Sequence, residues 1–186
     1  MARTETATST SKIWEWTKAI VFAVGLALII RFFIFEPYLV EGSSMDPTLK
    51  DGDRLFVNKT LKYIGEIEKG DIVIIDGKDA KIRYVKRVIG LPGDKVSAEN
   101  GEVYVNGKKI AEPYLADNAE EAEQNGMLLT SDFEEIEVPQ DNYFVMGDNR
   151  LNSMDSRNGL GLIEAKRILG KSEFIFFPFD HFSKTE

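Results

Sequence analysis

The run from Ala19 to Phe35, "AIVFAVGLALIIRFFIF", constrains this chain more than any other stretch: 17 residues, interrupted only by Arg31. As a helix it extends about 26 Å, at the short edge of what crosses roughly 30 Å of hydrocarbon. Trp14 and Trp16 sit where an interfacial aromatic belt belongs, and Arg31 lies near enough to the far end to snorkel. Arg3, Lys12 and Lys18 precede the run, and after Arg31 no Lys or Arg follows until Lys50. Basic flanks stay inside. The pattern predicts residues 1–18 as a cytoplasmic tail, 19–35 as a single transmembrane helix in the cell membrane, and an extracytoplasmic remainder. A cleaved secretory signal is an alternative, since Ala19 to Ile30 makes an apolar core behind a basic start. The small-x-small sequence behind it, Gly42-Ser43-Ser44, lies beyond a Pro and a Glu. A buried core helix is the other alternative. An uncleaved anchor fits length and flanks best.

Beyond the anchor, short runs rich in Val, Ile, Tyr and Phe alternate with Gly, Asp, Asn and Pro breaks, which predicts a mainly β, antiparallel fold. Residues 54–59, 71–76, 81–90, 142–148 and 172–179 read as strands, and Pro178 suggests that the last ends at an edge. Asn106-Gly107 suits a type I′ hairpin turn. The stretch from Ala111 to Asn149 has no basic residue, and its first part reads as a solvated loop or short helix. An inserted β/loop subdomain is expected over 95–137, dividing a β core made of 36–94 and 138–186. Net charge is −8, and the acidic excess lies after the anchor. Nucleic acid is therefore not an expected partner. There is no cysteine, which removes disulfides, thiolate nucleophiles and Cys-ligated zinc.

"VEGSSMDPTL" (40–49) looks like a nucleophile loop, yet the chain has one histidine, His181, near its end. For His181 to act as base, the tail must fold back onto the serine loop. The strand over 81–90 supplies another candidate. Alternation puts Ile82, Tyr84, Lys86 and Val88 on one face and Lys81, Arg83, Val85, Arg87 and Ile89 on the other. Lys86 thus projects among apolar neighbours, where burial lowers an amine's pKa and frees it as a general base. Serine–lysine pairs are a known variant of the serine–histidine arrangement. A snorkelling surface lysine remains the plainer reading of the same alternation. Ser9-Thr10-Ser11-Lys12 matches S-x-x-K but lies in a polar tail, and Gly42 to Asp46 is not G-x-S-x-G. The polar loop "GDNRLNSMDSRNG" (147–159) fails as a calcium loop, because Arg150 and Arg157 fall on ligand positions. It reads either as a surface turn or as a support for the base, with Ser153 bonding the lysine amine and Asp155 and Arg157 bracing each other.

Together "SSMDPTL", "GDRLFVNK", "RYVKRVIGLPGD" and "GDNRLNSMDSR", in that order after one anchor, resemble the signature boxes of bacterial type I signal peptidases. The single span and small insertion look more like Gram-positive members. The resemblance implies Ser44 as nucleophile and Lys86 as general base. The family's serine and aspartate in the last box fall on Ser153 and Asp155, and the reading of the same loop adds Arg157 and Asp148 as supporting residues. It implies an antiparallel β catalytic core and removal of signal peptides from exported preproteins, after small residues at the first and third positions before the cut. It implies no metal and no cofactor; the partners are preproteins and the lipid bilayer. The Ser44 N–H is one expected oxyanion donor. Gly42 departs from members that carry a hydroxyl there, which leaves the second donor open. Val40, Gly42, Met45, Leu49, Tyr84 and Val85 are expected to contact substrate, and Phe32, Phe33 and Phe35 to help hold the site at the membrane. The rival readings are a non-enzymatic anchored β domain that binds exported or envelope proteins, and a serine–lysine peptidase with another membrane-bound substrate or itself as target.

Overall fold

A computed structural model of the chain describes residues 7–33, 35–60, 65–77 and 82–185, with backbone alone at 7–11, 29–33 and 35. The side chains of Arg31, Phe32, Phe33 and Phe35, for which membrane roles are expected, therefore lie outside the described residues, as do Arg3 and Lys81.

The first element, α1 (Ala7–Phe33), begins twelve residues before the apolar run. Its sequence holds no proline, and helix gives way to strand just before Glu36-Pro37, because a residue preceding proline is pushed out of the helical region. Among the described residues no helix is long and apolar enough to cross a membrane.

The strands follow in order: β1 (Phe35–Leu39), β2 (Arg54–Asn58), β3 (Ile72–Asp76), β4 (Arg83–Gly90), β5 (Lys95–Glu99), β6 (Glu102–Val105) and β7 (Lys108–Lys109). Then come α2 (Ala116–Gln124), β8 (Phe133–Glu137), β9 (Asn142–Met146), β10 (Ile163–Glu164), β11 (Ile168–Phe177) and β12 (Ser183–Lys184). The larger sheet runs β1-β2-β11-β3-β4-β9-β10, with β12 on β11. A smaller sheet, β7-β6-β5-β8, is built from the chain between β4 and β9. The pairings are antiparallel throughout.

Alternation along β3 explains the layering. Ile72 and Ile74 enter a core with Val40, Met45, Leu49, Leu55, Val57 and Ile175. Val73 and Ile75 enter a second core on the opposite face, with Val88, Val145, Ile163 and Ile168. A third core, including Ile89, Phe144 and Met146 from the larger sheet and Val96, Ala98, Val103 and Val105 from the smaller, joins the two sheets. Asn106 (φ 53) and Gly107 (φ 72) turn between β6 and β7, both with the positive φ that a type I′ turn requires.

One strand expectation is corrected, and one strand is added. The strand ending near Pro178 is not at an edge: β11 lies between β2 and β3. Pro178 falls one residue past its end, so no ladder hydrogen bond is lost. β1 lies outside the strands expected from sequence, which begin at residue 54, and it contains Pro37. Pro37 is tolerated there because, among the described residues, β1 pairs with β2 alone and its other edge has no strand on it.

Candidate active site

The loop between β1 and β2 carries Ser44, and both apolar plugs and polar clasps fix it. Met45 and Leu49 are fully buried in the first core, one on each side of the turn. At the loop's base the Val40 N–H donates to Asp53 O (2.8 Å) and the Gly52 N–H to Val40 O (2.9 Å). The Asp53 carboxylate accepts from the Lys50 N–H at 2.8 Å. Gly42 takes φ +91°, open to glycine and costly for other residues, and its N–H donates to Asp51 Oδ1 at 2.7 Å. His181 does fold back toward this loop, but its Nδ1 pairs with Asp53 at 3.0 Å and not with the serine.

Lys86 comes from β4 and is 2% exposed. Its Nζ stands 2.6 Å from Ser44 Oγ and also donates to Val85 O at 2.9 Å. No carboxylate forms an ion pair with it among the described residues. Burial therefore dominates and pushes the Lys86 ammonium down to about 8, against the opposing pull of Asp155 and Asp148. About one molecule in ten then carries a neutral amine at pH 7, against roughly one in several thousand for an ordinary lysine.

The loop after β9 packs on the serine loop. A Cβ on Gly147 would collide with Ser153 Oγ and with the Ser44 carbonyl oxygen, so only glycine permits this approach. The Asn149 N–H donates to Ser44 O (3.1 Å), and Asn149 Nδ2 donates to Ser43 O (3.1 Å). Asp155 is fully buried; its carboxylate accepts from Arg157 Nε (2.9 Å), Arg157 Nη2 (2.8 Å) and the Gly147 N–H (3.0 Å). Burial raises the Asp155 carboxyl, but the Arg157 hydrogen bonds and charge outweigh it and hold the group below the usual carboxylate range. Asp148 takes both ends of the Arg87 fork, at 2.9 and 2.7 Å, with both residues buried. Each of the two carboxylates that act on Lys86 is thus held by its own arginine, and neither forms an ion pair with the lysine.

Ser153 differs from expectation. Its Oγ is buried with no hydrogen-bond partner among the described residues, and it does not bond the Lys86 amine, which bonds Ser44 Oγ and Val85 O. Leu49 also differs. It lies wholly in the core and holds the loop from below instead of facing the cleft. A cleft of about 450 Å³ opens over the pair, lined by Val40, Met45, Tyr84 and Val85 together with Tyr38, Leu39, Glu41, Ile74 and Arg83. Gly42 is not among its walls. A larger depression of about 660 Å³, around Ile67, Leu91, Tyr143 and Ile168, contains neither Ser44 nor Lys86. Arg87, Gly147, Asn149 and Ile74 join the site without being among the candidates that the sequence points to. Arg87 carried one signal: it sits on the other face of a strand whose alternation already placed it among Val85 and Ile89.

A β scaffold that buries an un-ion-paired amine against a serine hydroxyl has the equipment of a serine hydrolase that works without histidine. The family described as "Signal peptidase, peptidase S26" matches residues 13–177, and this chain belongs to it. Signal peptidase I of Bacillus amyloliquefaciens is 65% identical over 173 residues, covering 93% of this chain and 90% of that protein. Signal peptidase I T of Bacillus subtilis (strain 168) is 63% identical over 177 residues, covering 95% and 92%. A crystal structure of a signal peptidase I from Enterococcus faecalis V583 is similar at a TM-score of 0.51 and 32% identity, over 58% of this chain and 97% of that one. The chain is accordingly a serine peptidase.

Proposed function

We propose that this chain is a membrane-anchored endopeptidase that removes N-terminal signal peptides from exported preproteins, with Ser44 as nucleophile and Lys86 as general base. The observation that carries the proposal is the 2.6 Å approach of a buried, un-ion-paired Lys86 Nζ to Ser44 Oγ. Ser44 Oγ attacks the scissile carbonyl carbon while its proton passes to neutral Lys86. The tetrahedral oxyanion meets the Ser44 N–H. The Lys86 ammonium returns the proton to the departing amine of the mature chain, leaving the signal peptide acylated on Ser44. Lys86 then deprotonates a water, which attacks the acyl carbon, and Ser44 leaves with the proton. Asp148, Asp155, Arg157 and Ser153 frame this pair and do not touch the reacting atoms.

Selectivity follows from strand geometry. β9 pairs with β4 only as far as Arg87, so among the described residues no strand pairs with the edge from Arg83 to Lys86 on that side. The outer edge of β1 likewise has none among them, and both flank the cleft. An extended substrate segment fits alongside them by adding a strand. In such a segment alternate side chains share a face, so the first and third residues before the cut point to the same wall. Met45, Val85 and Ile74 make that wall apolar and close, and large side chains are excluded by overpacking.

Support for the anchor comes from the sequence of 19–35 and from the unbroken course of α1. Described side chains along it, among them Trp14, Trp16, Ile20 and Phe22, are apolar and more than half exposed. Ten residues lie between Phe33 and Ser44, so the chain joining them extends at most about 40 Å and the site stays near the bilayer surface where signal-peptide ends emerge. In this reading the N-terminus is cytoplasmic, and the catalytic core (36–94 and 138–186) with its insertion (95–137) is extracytoplasmic.

The test is digestion of a preprotein bearing Ala-x-Ala before its mature sequence by the detergent-solubilised full chain, with N-terminal sequencing of the product. The expected cut follows the second alanine and slows by at least about 100-fold when that alanine becomes phenylalanine. Equal cutting of both substrates, or cutting elsewhere, would contradict the reading.

A further inference from the structure

We infer that Asn118, on the inserted helix α2, is a positioning residue for proteolysis. Its side-chain amide fixes the spacing between the nucleophile loop and the loop that carries Ser153 and Asp155. The inference rests on the reading of Ser44 as nucleophile and concerns how the fold holds it there.

The insertion touches the site at several places, including the Tyr114 ring 3.8 Å from the Arg87 guanidinium, and two of them concern the loop after β9. At the first, the buried Arg150 guanidinium donates to Glu112 Oε2 (3.0 Å) and Thr130 Oγ1 (3.1 Å), and its Nε donates to Gly147 O (3.0 Å). Glu112 and Thr130 belong to the insertion, whereas Arg150 and Gly147 belong to the loop after β9, so this contact sets that loop on the insertion. At the second, Asn118 Nδ2 donates to Asp46 O at 3.0 Å and to Asp148 O at 3.2 Å. Asp46 lies two residues after Ser44, and Asp148 follows Gly147, whose backbone is pressed against the Ser44 carbonyl. An amide –NH₂ has two hydrogens, and here each serves a different loop. The distance between the two loops therefore equals what one planar amide can span.

The rest of α2 has no comparable role. Ala122 is its buried apolar residue. Asp117, Glu120, Glu121 and Glu123 are exposed. Asparagine is a poorer helix former than alanine, so helix stability does not account for its presence on the half-buried face. The helix makes sense as a mount for one amide aimed at two backbone carbonyls. Because serine attack and proton transfer both depend on a 2.6 Å contact between separate elements, a small shift of one loop acts on the rate and not on substrate affinity.

Asn118→Ala removes both donors, and water can refill part of the gap. The expected result is a fall of about tenfold in kcat with KM within twofold, in line with two neutral hydrogen bonds. Asn118→Asp keeps the shape but turns a carboxylate oxygen toward two carbonyl oxygens, and is expected to fall further, by about 100-fold. Asp117→Asn on the same helix is the control and should match wild type. Amide hydrogen exchange across residues 43–49 should rise in Asn118→Ala while α2 stays protected, a local loosening that global destabilisation does not produce. The inference is overturned if both Asn118 variants keep kcat within twofold of wild type. It is equally overturned if their losses vanish once rates are expressed per folded molecule. If Asn118→Asp does not fold, Asn118→Ala decides alone. Ser44→Ala assayed alongside reports separately on the nucleophile, so a failure there is distinguishable from a failure at Asn118.

Discussion

Replacing Lys86 with methionine, which has similar volume and no charge, isolates the effect on which the mechanism depends. Burial lowers the Lys86 ammonium from 10.5 to about 8. That shift corresponds to about 3 kcal/mol of unfavourable folding energy while the amine is protonated in both states. The folded value lies below the unfolded one, so between pH 8 and about 10.4 the unfolded chain binds more protons and stability rises with pH. Below pH 8 the full penalty applies, and above about 10.4 it is gone. Lys86→Met should therefore be more stable than wild type at pH 7, by up to about 3 kcal/mol, and the difference should shrink as pH rises through that window. Urea denaturation of both proteins from pH 7 to 10.5 measures the gap. With Lys86 as the proposed base, wild-type kcat/KM should rise tenfold per pH unit from 6 to about 8 and then level off. A methionine variant less stable than wild type at pH 7, or an activity limb centred near 10, would refute the desolvation reasoning.

Three further outcomes follow from the packing around the pair. Gly147→Ala should lower kcat by at least about 100-fold with a loss of only about 1–3 kcal/mol in stability, since its Cβ collides with Ser153 and Ser44; steady-state kinetics beside a thermal melt separate the two. Asp148→Ala strands the buried Arg87 guanidinium and should cost about 3–5 kcal/mol, read as a shift in urea midpoint. Gly42→Ser meets nothing within 4 Å but must adopt φ +91°; it should lose about 1–2 kcal/mol of stability and retain activity at 25 °C, as denaturation and preprotein cleavage together will show.

The strands were legible where composition and burial agree. Ile72 to Ile75 is apolar at every position because the strand is buried on both faces, and the sequence "DIVIID" carries that information locally. The Asn106-Gly107 turn was legible for a similar reason, its chemistry being confined to two residues. β1 carries no such local signal, because Pro37 suits a strand only at an edge, and edge position is a property of the sheet and not of the segment. The same limit explains β11, whose central place depends on which strands pair with it.

Within the site, alternation placed Lys86 on an apolar face, but the partner of Arg87 lies 61 residues away at Asp148, and no local pattern joins them. Leu49 shows the converse. Proximity to Ser44 in sequence suggested a substrate wall, whereas a turn sends that side chain downward into the core. Ser153 lies against the serine loop without bonding the amine, a distinction of orientation that residue type alone cannot carry.

The central claim is that Ser44 attacks and Lys86 removes its proton. Single-turnover cleavage of an Ala-x-Ala preprotein by wild type, Ser44→Ala and Lys86→Ala, each confirmed folded by circular dichroism, tests it most directly. Cleavage by wild type alone, with both variants slower by at least about 1000-fold, is the expected result. A folded Ser44→Ala or Lys86→Ala protein that cuts within tenfold of wild type would contradict it.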